Sequence, residues 1–142
     1  MSFDLKILNG DLVIGTNADL AQVQDTEKLI QDVLKILMTE VGANPWFPWY
    51  GSLLSGSMVG SPFDSKFIAT MAENQIRSSL EIIQGLQRDQ ATKQLVTPSE
   101  LLAAIKSVNV ARNQINPMFF SISLAILTKN LTVANTKFNV TL

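Results

Sequence analysis

The chain has neither cysteine nor histidine among its 142 residues. Disulfides are excluded, and so are metal sites built on thiolate or imidazole and catalytic relays that pass a proton through histidine. Any catalysis would fall to carboxylates, lysine, tyrosine or serine, and neither a metal nor a cofactor is expected. Charge is scarce as well, at 16% of residues, below the roughly 25% of an ordinary soluble domain. Hydrophobic residues make up 46%, with Asn, Gln, Ser and Thr filling the gap, which suits a subunit whose faces neighbours cover. No run approaches the roughly 18 apolar residues of a membrane helix. Met1-Ser2-Phe3-Asp4-Leu5 lacks the basic head and apolar run of a signal peptide. The expected setting is the cytoplasm or a particle assembled there, with no membrane partner.

Acids are missing altogether after Glu100. Residues 1–100 carry all twelve acids and seven of the eleven basic residues, a net −5. Residues 101–142 carry Lys106, Arg112, Lys129 and Lys137, a net +4. Four charges spread over that length are too sparse, and too poor in arginine, for a nucleic-acid surface. The asymmetry fits charged protein partners or head-to-tail contact between copies, and it also fits chance in a weakly charged chain.

What is present concentrates in one place. Trp46, Phe47, Trp49 and Tyr50 put four large rings into five residues, with Pro45 and Pro48 among them. Two prolines fix φ and remove donors, so neither a helix nor a central strand runs through. Each buried ring covers roughly 150–250 Å², so these rings either cap the domain's own core or adhere to another protein. The expectation is that at least two of the four pack on other subunits while the rest anchor the loop to the preceding helix.

The length is that of one domain, residues 1–142. Residues 3–14 read as a hairpin about Asn9-Gly10, the dipeptide a type I′ turn favours, followed by a short extended piece at Leu20–Val23. Helix one is expected from Asp25 as N-cap to Gly42 as C-terminal cap, with Ile30, Val33, Leu34, Leu37 and Val41 on its buried face, widened by Leu29, Ile36 and Met38. Helix two is expected from about Asp64, with a stripe from Ile68 through Ile76 to Leu86, then a polar connection over 87–96. Thr97-Pro98-Ser99-Glu100 carries the start signals of a short third helix holding Leu101, Leu102 and Ile105. From Val108 onward alternation predicts strands: Phe120, Ile122, Leu124 and Ile126 on one face of a long one, then Leu131–Val133, then Phe138, Val140 and Leu142. The predicted class is α+β: an N-terminal hairpin, two longer helices and one short one, and C-terminal antiparallel strands packed on the helices. The last strand ends in an edge open to pairing.

One enzymatic reading needs only two carboxylates, namely glycoside hydrolysis. Glu40 beside the aromatic loop is its candidate acid, with Asp64 or Asp25 as partner. A glutamate at a helix end next to glycine is ordinarily a solvated surface residue, and no carboxylate pair is identifiable, so no catalytic activity is expected. Gly51, Gly56 and Gly60 lack the Lys-Ser/Thr of a phosphate loop and read as turn residues.

Three segments carry a family likeness: Asn9-Gly10-Asp11-Leu12-Val13-Ile14 with Asp19-Leu20; Leu37-Met38-Thr39-Glu40-Val41-Gly42 running into Pro48-Trp49-Tyr50-Gly51-Ser52-Leu53; and Ile115-Asn116-Pro117-Met118-Phe119. On these the chain resembles the small baseplate wedge proteins of contractile-tailed bacteriophages, the sheath-initiator family, which has relatives in contractile injection machines such as type VI secretion. The middle segment is the most specific. Asn116-Pro117-Met118 stands where many members carry Glu-Pro-Arg, keeping the proline and losing both charges. The resemblance implies a structural protein of the virion's tail baseplate, assembled in the host cytoplasm. It would be present as a ring of copies around the tail tube, tied to other wedge proteins and to the tail sheath protein. Some relatives have been labelled lysozymes, which keeps a peptidoglycan-degrading carboxylate reading open as one alternative; the other is a baseplate subunit of a related contractile injection or secretion system. The implied contact residues are the four rings, Asn116, Pro117 and Met118, and the terminal strand with Phe138, Val140 and Leu142.

Overall fold

The computed structural model describes residues 2–54, 65–116 and 118–141. The expected helix start at Asp64, and the site residues Pro117 and Leu142, lie outside them. The element order is β1 (Phe3–Leu5), β2 (Ile7–Leu8), β3 (Asp11–Leu12), β4 (Gln22–Gln24), α1 (Asp25–Met38), α2 (Ser65–Lys93), a single 3₁₀ turn (Pro98–Glu100), β5 (Leu102–Arg112), β6 (Phe119–Thr128) and β7 (Val133–Thr141). The expected α+β class is the one observed.

The Asn9-Gly10 turn forms as its residues require. Both have positive φ, +52° and +81°, and they join Ile7↔Leu12 and Leu8↔Asp11. The hairpin stops there rather than running back to Phe3. Lys6, Val13 and Ala21 form a three-way backbone junction, with Val13 N donating to Lys6 O and Lys6 N and Ala21 N each closing another edge. The junction sends Phe3–Leu5 to pair with Gln22–Gln24 instead.

Helix α1 buries Leu29, Val33, Ile36 and Leu37. Asp25 is not its N-cap: Gln24 holds that position, and Asp25 sits one residue inside with φ +50°. Its Oδ1 lies 2.6 Å from Thr97 Oγ1, so its carboxylate serves a distant segment rather than its own helix. The helix also ends at Met38 and not at Gly42. Thr39 turns extended, Ser52 N donates to Thr39 O at 2.8 Å, and Val41 N donates to Ser52 O at 3.2 Å. Pairing with 52 takes the chain away from the helix axis and leaves Met38 and Val41 exposed.

Helix α2 is longer than its apolar stripe foretold. Ile68, Ala72, Ile76, Leu80 and Ile83 are buried, Leu86 is exposed, and the helix continues through the polar 87–93. Gln87 explains the extension. It is buried, its Nε2 donates to Glu100 O at 2.9 Å, and its Oε1 accepts from Leu102 N at 2.8 Å. Those same bonds remove the expected third helix. The start signals at Thr97–Glu100 produce one 3₁₀ turn, and Glu100 Oε2 does accept the Thr97 N–H at 2.6 Å. The backbone of Glu100, Leu102 and Ala103 is then engaged by Gln87 and Gln84 of α2. Leu101 is extended and Leu102 opens a strand.

The three long strands form an antiparallel sheet in the order β5-β6-β7. Phe120, Ile122, Leu124 and Ile126 of β6 are at most 1% exposed and pack in one cluster with the apolar faces of α1 and α2. Val133, Phe138 and Val140, expected in two separate runs, belong to one strand, β7. Leu131 is outside it, exposed with φ +61° in the turn after β6. No helix among the described residues is long and apolar enough to cross a membrane.

Candidate assembly surface

The aromatic loop is fixed by hydrogen bonds at its base and within its turn. Asn44 Oδ1 accepts the N–H groups of Trp46 (3.0 Å) and Phe47 (3.4 Å), an Asx turn that sets the approach to Pro48. Gly42 N donates to Pro48 O and Tyr50 N to Phe47 O. Below these, buried Ser52 donates its hydroxyl to Leu37 O at 2.8 Å, and Ser79 of α2 donates to Gly51 O at 3.2 Å. Gly51 has φ +132°, and a Cβ there would lie 2.6 Å from Thr39 O. Only glycine fits at that crossing.

On this frame three rings face outward. Trp46 is 85% exposed, Phe47 53% and Trp49 48%. Phe47 meets Trp49 edge-on at 5.8 Å, and Trp49 meets Tyr50 at 6.4 Å. Tyr50 is the inward member, packed against the core cluster. Burial, together with the Asp32 and Asp4 carboxylates, raises its phenol above the ordinary value against the opposing pull of Lys35. Trp49 also borders a shallow hollow on α2 formed with Ile82, Gly85 and Leu86 and rimmed by Arg88 and Asp89, so the loop's surface runs on to the helix.

The other expected contact residues lie elsewhere. Asn116 and Met118 are exposed at the tip of the β5–β6 hairpin. Asn113 Oδ1 accepts from Ile115 N and Asn116 N, and Asn116 Oδ1 accepts from Met118 N. Ile115, part of that likeness segment but not among the expected contact residues, is 96% exposed there. Phe138 and Val140 are only 8% and 7% exposed, with their side chains in the core cluster. A partner reaching β7 would meet its backbone edge rather than these side chains. No hydrogen bond among the described residues reaches β7 from the side away from β6.

Among the described residues the carboxylates do not converge, and Asp64, the other candidate partner of Glu40, lies outside them. Glu40 is exposed and bridged through its backbone to Ser52, while Asp25 lies at the start of α1 beside Thr97. Glu100 is 2% exposed. Burial pushes its carboxyl up, but hydrogen bonds from the Ser2 hydroxyl and N–H and from Thr97 outweigh burial and hold it below the usual range. Asp4 is likewise pushed up by burial and held down by Lys35, Gln31 and Leu5 N. None of five surface hollows is lined by two carboxylates. Among the described residues no cluster of three acids is placed to hold a metal.

Sequence reasoning also missed the N-terminal strands as a surface. Leu8, Leu12 and Ile14 are exposed rather than covered. The signal was present in their crowding about one tight turn, since a two-residue hairpin cannot bury three aliphatic side chains on itself.

No protein-family model matches the chain, and no curated protein matches it. Solved structures do. A protein of Geobacter sulfurreducens whose crystal structure is described as that of a "putative tail lysozyme" aligns with a TM-score of 0.62, covering 82% of this chain and 89% of that one at 15% identity. At that identity the likeness is one of fold.

Proposed function

We propose that this chain is a structural subunit of a contractile tail baseplate, linking the wedge to the first sheath layer around the tail tube and helping to start sheath assembly. The observation that carries the reading is the aromatic loop: three exposed rings on a backbone held by side-chain and main-chain bonds before any partner arrives. Rigid aromatic anchors lose little entropy on docking and dominate interface energetics. The fold's likeness to a protein described by its place in a tail supports the same reading. In it the sheath partner adds a strand to β7, drawing affinity from main-chain hydrogen bonds.

The word lysozyme in the neighbour's description favours a second reading, cell-wall glycoside hydrolysis. That chemistry needs a general acid with a raised pKa and a second carboxylate within about 5–9.5 Å across the substrate. The carboxyls shifted by their surroundings, Asp4 and Glu100, are shifted downward. The hollows offer no pair. The reading we adopt is therefore non-enzymatic.

Trp46→Ala with Trp49→Ala tests it. The double variant should keep its fold by circular dichroism while failing to enter tails, with each ring worth about 2 kcal/mol or more of binding. If the double variant unfolds, or if it assembles normally sheathed tails, the loop is not the anchor. Clearing of peptidoglycan by the wild type that Glu40→Gln abolishes would establish the hydrolase instead.

A further inference from the structure

The charge asymmetry of the chain becomes spatial in the fold. All four ion pairs found among the described residues lie within residues 4–77: Lys28–Asp32, Lys35–Asp4, Lys35–Asp32 and Arg77–Glu73. Arg88 of α2 and Lys129, after β6, take part in none of them. These two cations line a hollow of about 320 Å³ that contains no acid. Its floor is apolar, made by Ala91, Leu101, Leu102 and Ala103, and its walls are stiff. Gln84 and Gln87 tie α2 to the start of β5, and Lys129 N donates to Leu101 O at 3.0 Å.

The N-terminal strands have the opposite character. The β2–β3 hairpin and the bridge Ile14↔Leu20 behind it present Leu8, Leu12 and Ile14 to solvent. Asp11 and Asp19 lie among them, both exposed and neither in an ion pair. The local cation is Lys6, whose side chain is half-buried. An apolar knob with two carboxylates outside any ion pair, Asp11 accepting only the Leu12 N–H, and a hollow with an apolar floor and two cations outside any described ion pair are complementary in both hydrophobicity and charge. Among the described residues neither meets an opposite charge within the molecule.

We infer that the N-terminal hairpin of one copy docks into the Arg88–Lys129 hollow of a second copy, so that this chain carries a self-complementary contact between two different patches. A contact of that kind closes into a pair if reciprocal and into a ring or filament if repeated head to tail. It is a property of the purified chain and stands without the tail reading, so its failure leaves that reading untouched.

Sedimentation velocity of the full chain, run as a concentration series, tests it. Association should be reversible at low salt and weaken as the ionic strength rises and the Debye length shrinks from about 10 Å toward 3 Å. The pair Arg88→Glu, Lys129→Glu and the pair Asp11→Lys, Asp19→Lys should each stay monomeric with an unchanged melting curve. Mixed one to one, the two reversed proteins should associate again, because each then meets its opposite. If either reversed pair fails to fold, the neutral pairs Arg88→Gln, Lys129→Gln and Asp11→Asn, Asp19→Asn should weaken association about tenfold. A wild type that stays monomeric throughout overturns the inference. So does a reversed or neutral pair that associates like the wild type, or a mixture of folded reversed pairs that stays monomeric.

Discussion

The two outer strands of the main sheet face the same hazard and treat it differently. An edge strand presents unpaired N–H and C=O groups to any passing chain. On β5 the ladder to β6 is broken twice, between Leu102 and Ala104 and between Ile105 and Ser107, which leaves Ala103 and Lys106 as extra residues. Helix α2 covers the beginning of that strand through Gln84 and Gln87. Bulges, a lysine and a covering helix are the usual ways of blunting an edge. On β7, among the described residues, there is a lysine, Lys137, and α1 packs nearby, but there is no bulge and no hydrogen-bonded clamp from a helix. Nine consecutive residues, Val133 to Thr141, pair with Phe119–Leu127 in unbroken register. Among the described residues one edge is bulged and clamped by side-chain hydrogen bonds, while the other keeps a regular register with no hydrogen bond on its far side. That contrast is the physical ground for treating β7 as the strand that receives a partner.

The comparison would collapse if β7 were only a docking strand laid against the domain. Its inward side chains say otherwise. Phe138→Ala removes a ring from the core cluster and should destabilise the protein by about 3 kcal/mol, read as a lowered midpoint in urea. Removing residues 138–142 altogether takes Val140 as well and should prevent stable folding, so truncation cannot isolate the edge from the core. A Phe138→Ala protein of unaltered stability would mean that β7 contributes nothing to the core and would reverse the contrast.

The guard on β5 can be broken directly. Gln87→Leu leaves Glu100 O and Leu102 N buried without their partners, and such orphaned groups cost about 2 kcal/mol together. Protection of the Leu102 amide against hydrogen exchange should fall with it, while the amides of β6 keep theirs. Equal loss of protection across the sheet would show that the clamp is no local guard.

Gln87 also marks where the sequence stopped being legible. The stripe Ile68–Leu86 predicted α2, but the polar residues from 87 to 93 read as a linker, because a buried glutamine whose partners are backbone groups has no periodic signature. The capping signals at Thr97–Glu100 were real and local. They could not foretell that α2 would engage the next backbone groups and cut the helix to one turn. The tight turn at Asn9-Gly10 and the alternation Phe120–Ile126 were legible because their causes are local or strictly periodic. Phe138 and Val140 were expected to contact partners, yet alternation alone does not say which face meets the core. At the aromatic loop the sequence located the rings. The contacts that turn three of them outward, from Ser52, Ser79 and the Gly51 crossing, depend on residues brought together by the fold.

A smaller effect is expected from pH. Glu100 sits immediately before β5, and its carboxyl is held below the usual range when folded. A depressed folded pKa adds stability that is complete above the unfolded value and is lost as pH falls through the folded one. Asp4, also depressed, acts in the same direction by tying β1 to Lys35 and Gln31 of α1. Stability measured downward from neutral pH should therefore decline once the ordinary carboxylate range is entered. Glu100→Gln should flatten that decline while lowering stability at neutral pH. An acid limb identical in Glu100→Gln and wild type would remove this network from the account of how β5 is anchored.

The smallest effect on the folded molecule should accompany the largest on its assembly. Asn135 and Asn139 are exposed and flank Lys137 on the face of β7 that points away from the core. Replacing both by lysine puts three cations along the open strand, the device that natural edges use against pairing. Exposed substitutions of this kind change stability by no more than about 0.5 kcal/mol, so the melting curve should hardly move. Strand addition should fail, because an incoming strand would have to bury its own backbone beside three like charges spaced two residues apart. In the tail reading the variant enters baseplates but carries short or missing sheaths by electron microscopy. If Asn135→Lys, Asn139→Lys tails carry sheaths of normal length, β7 is not the edge a partner uses, and its regular register reflects only the packing of Phe138 and Val140 beneath it.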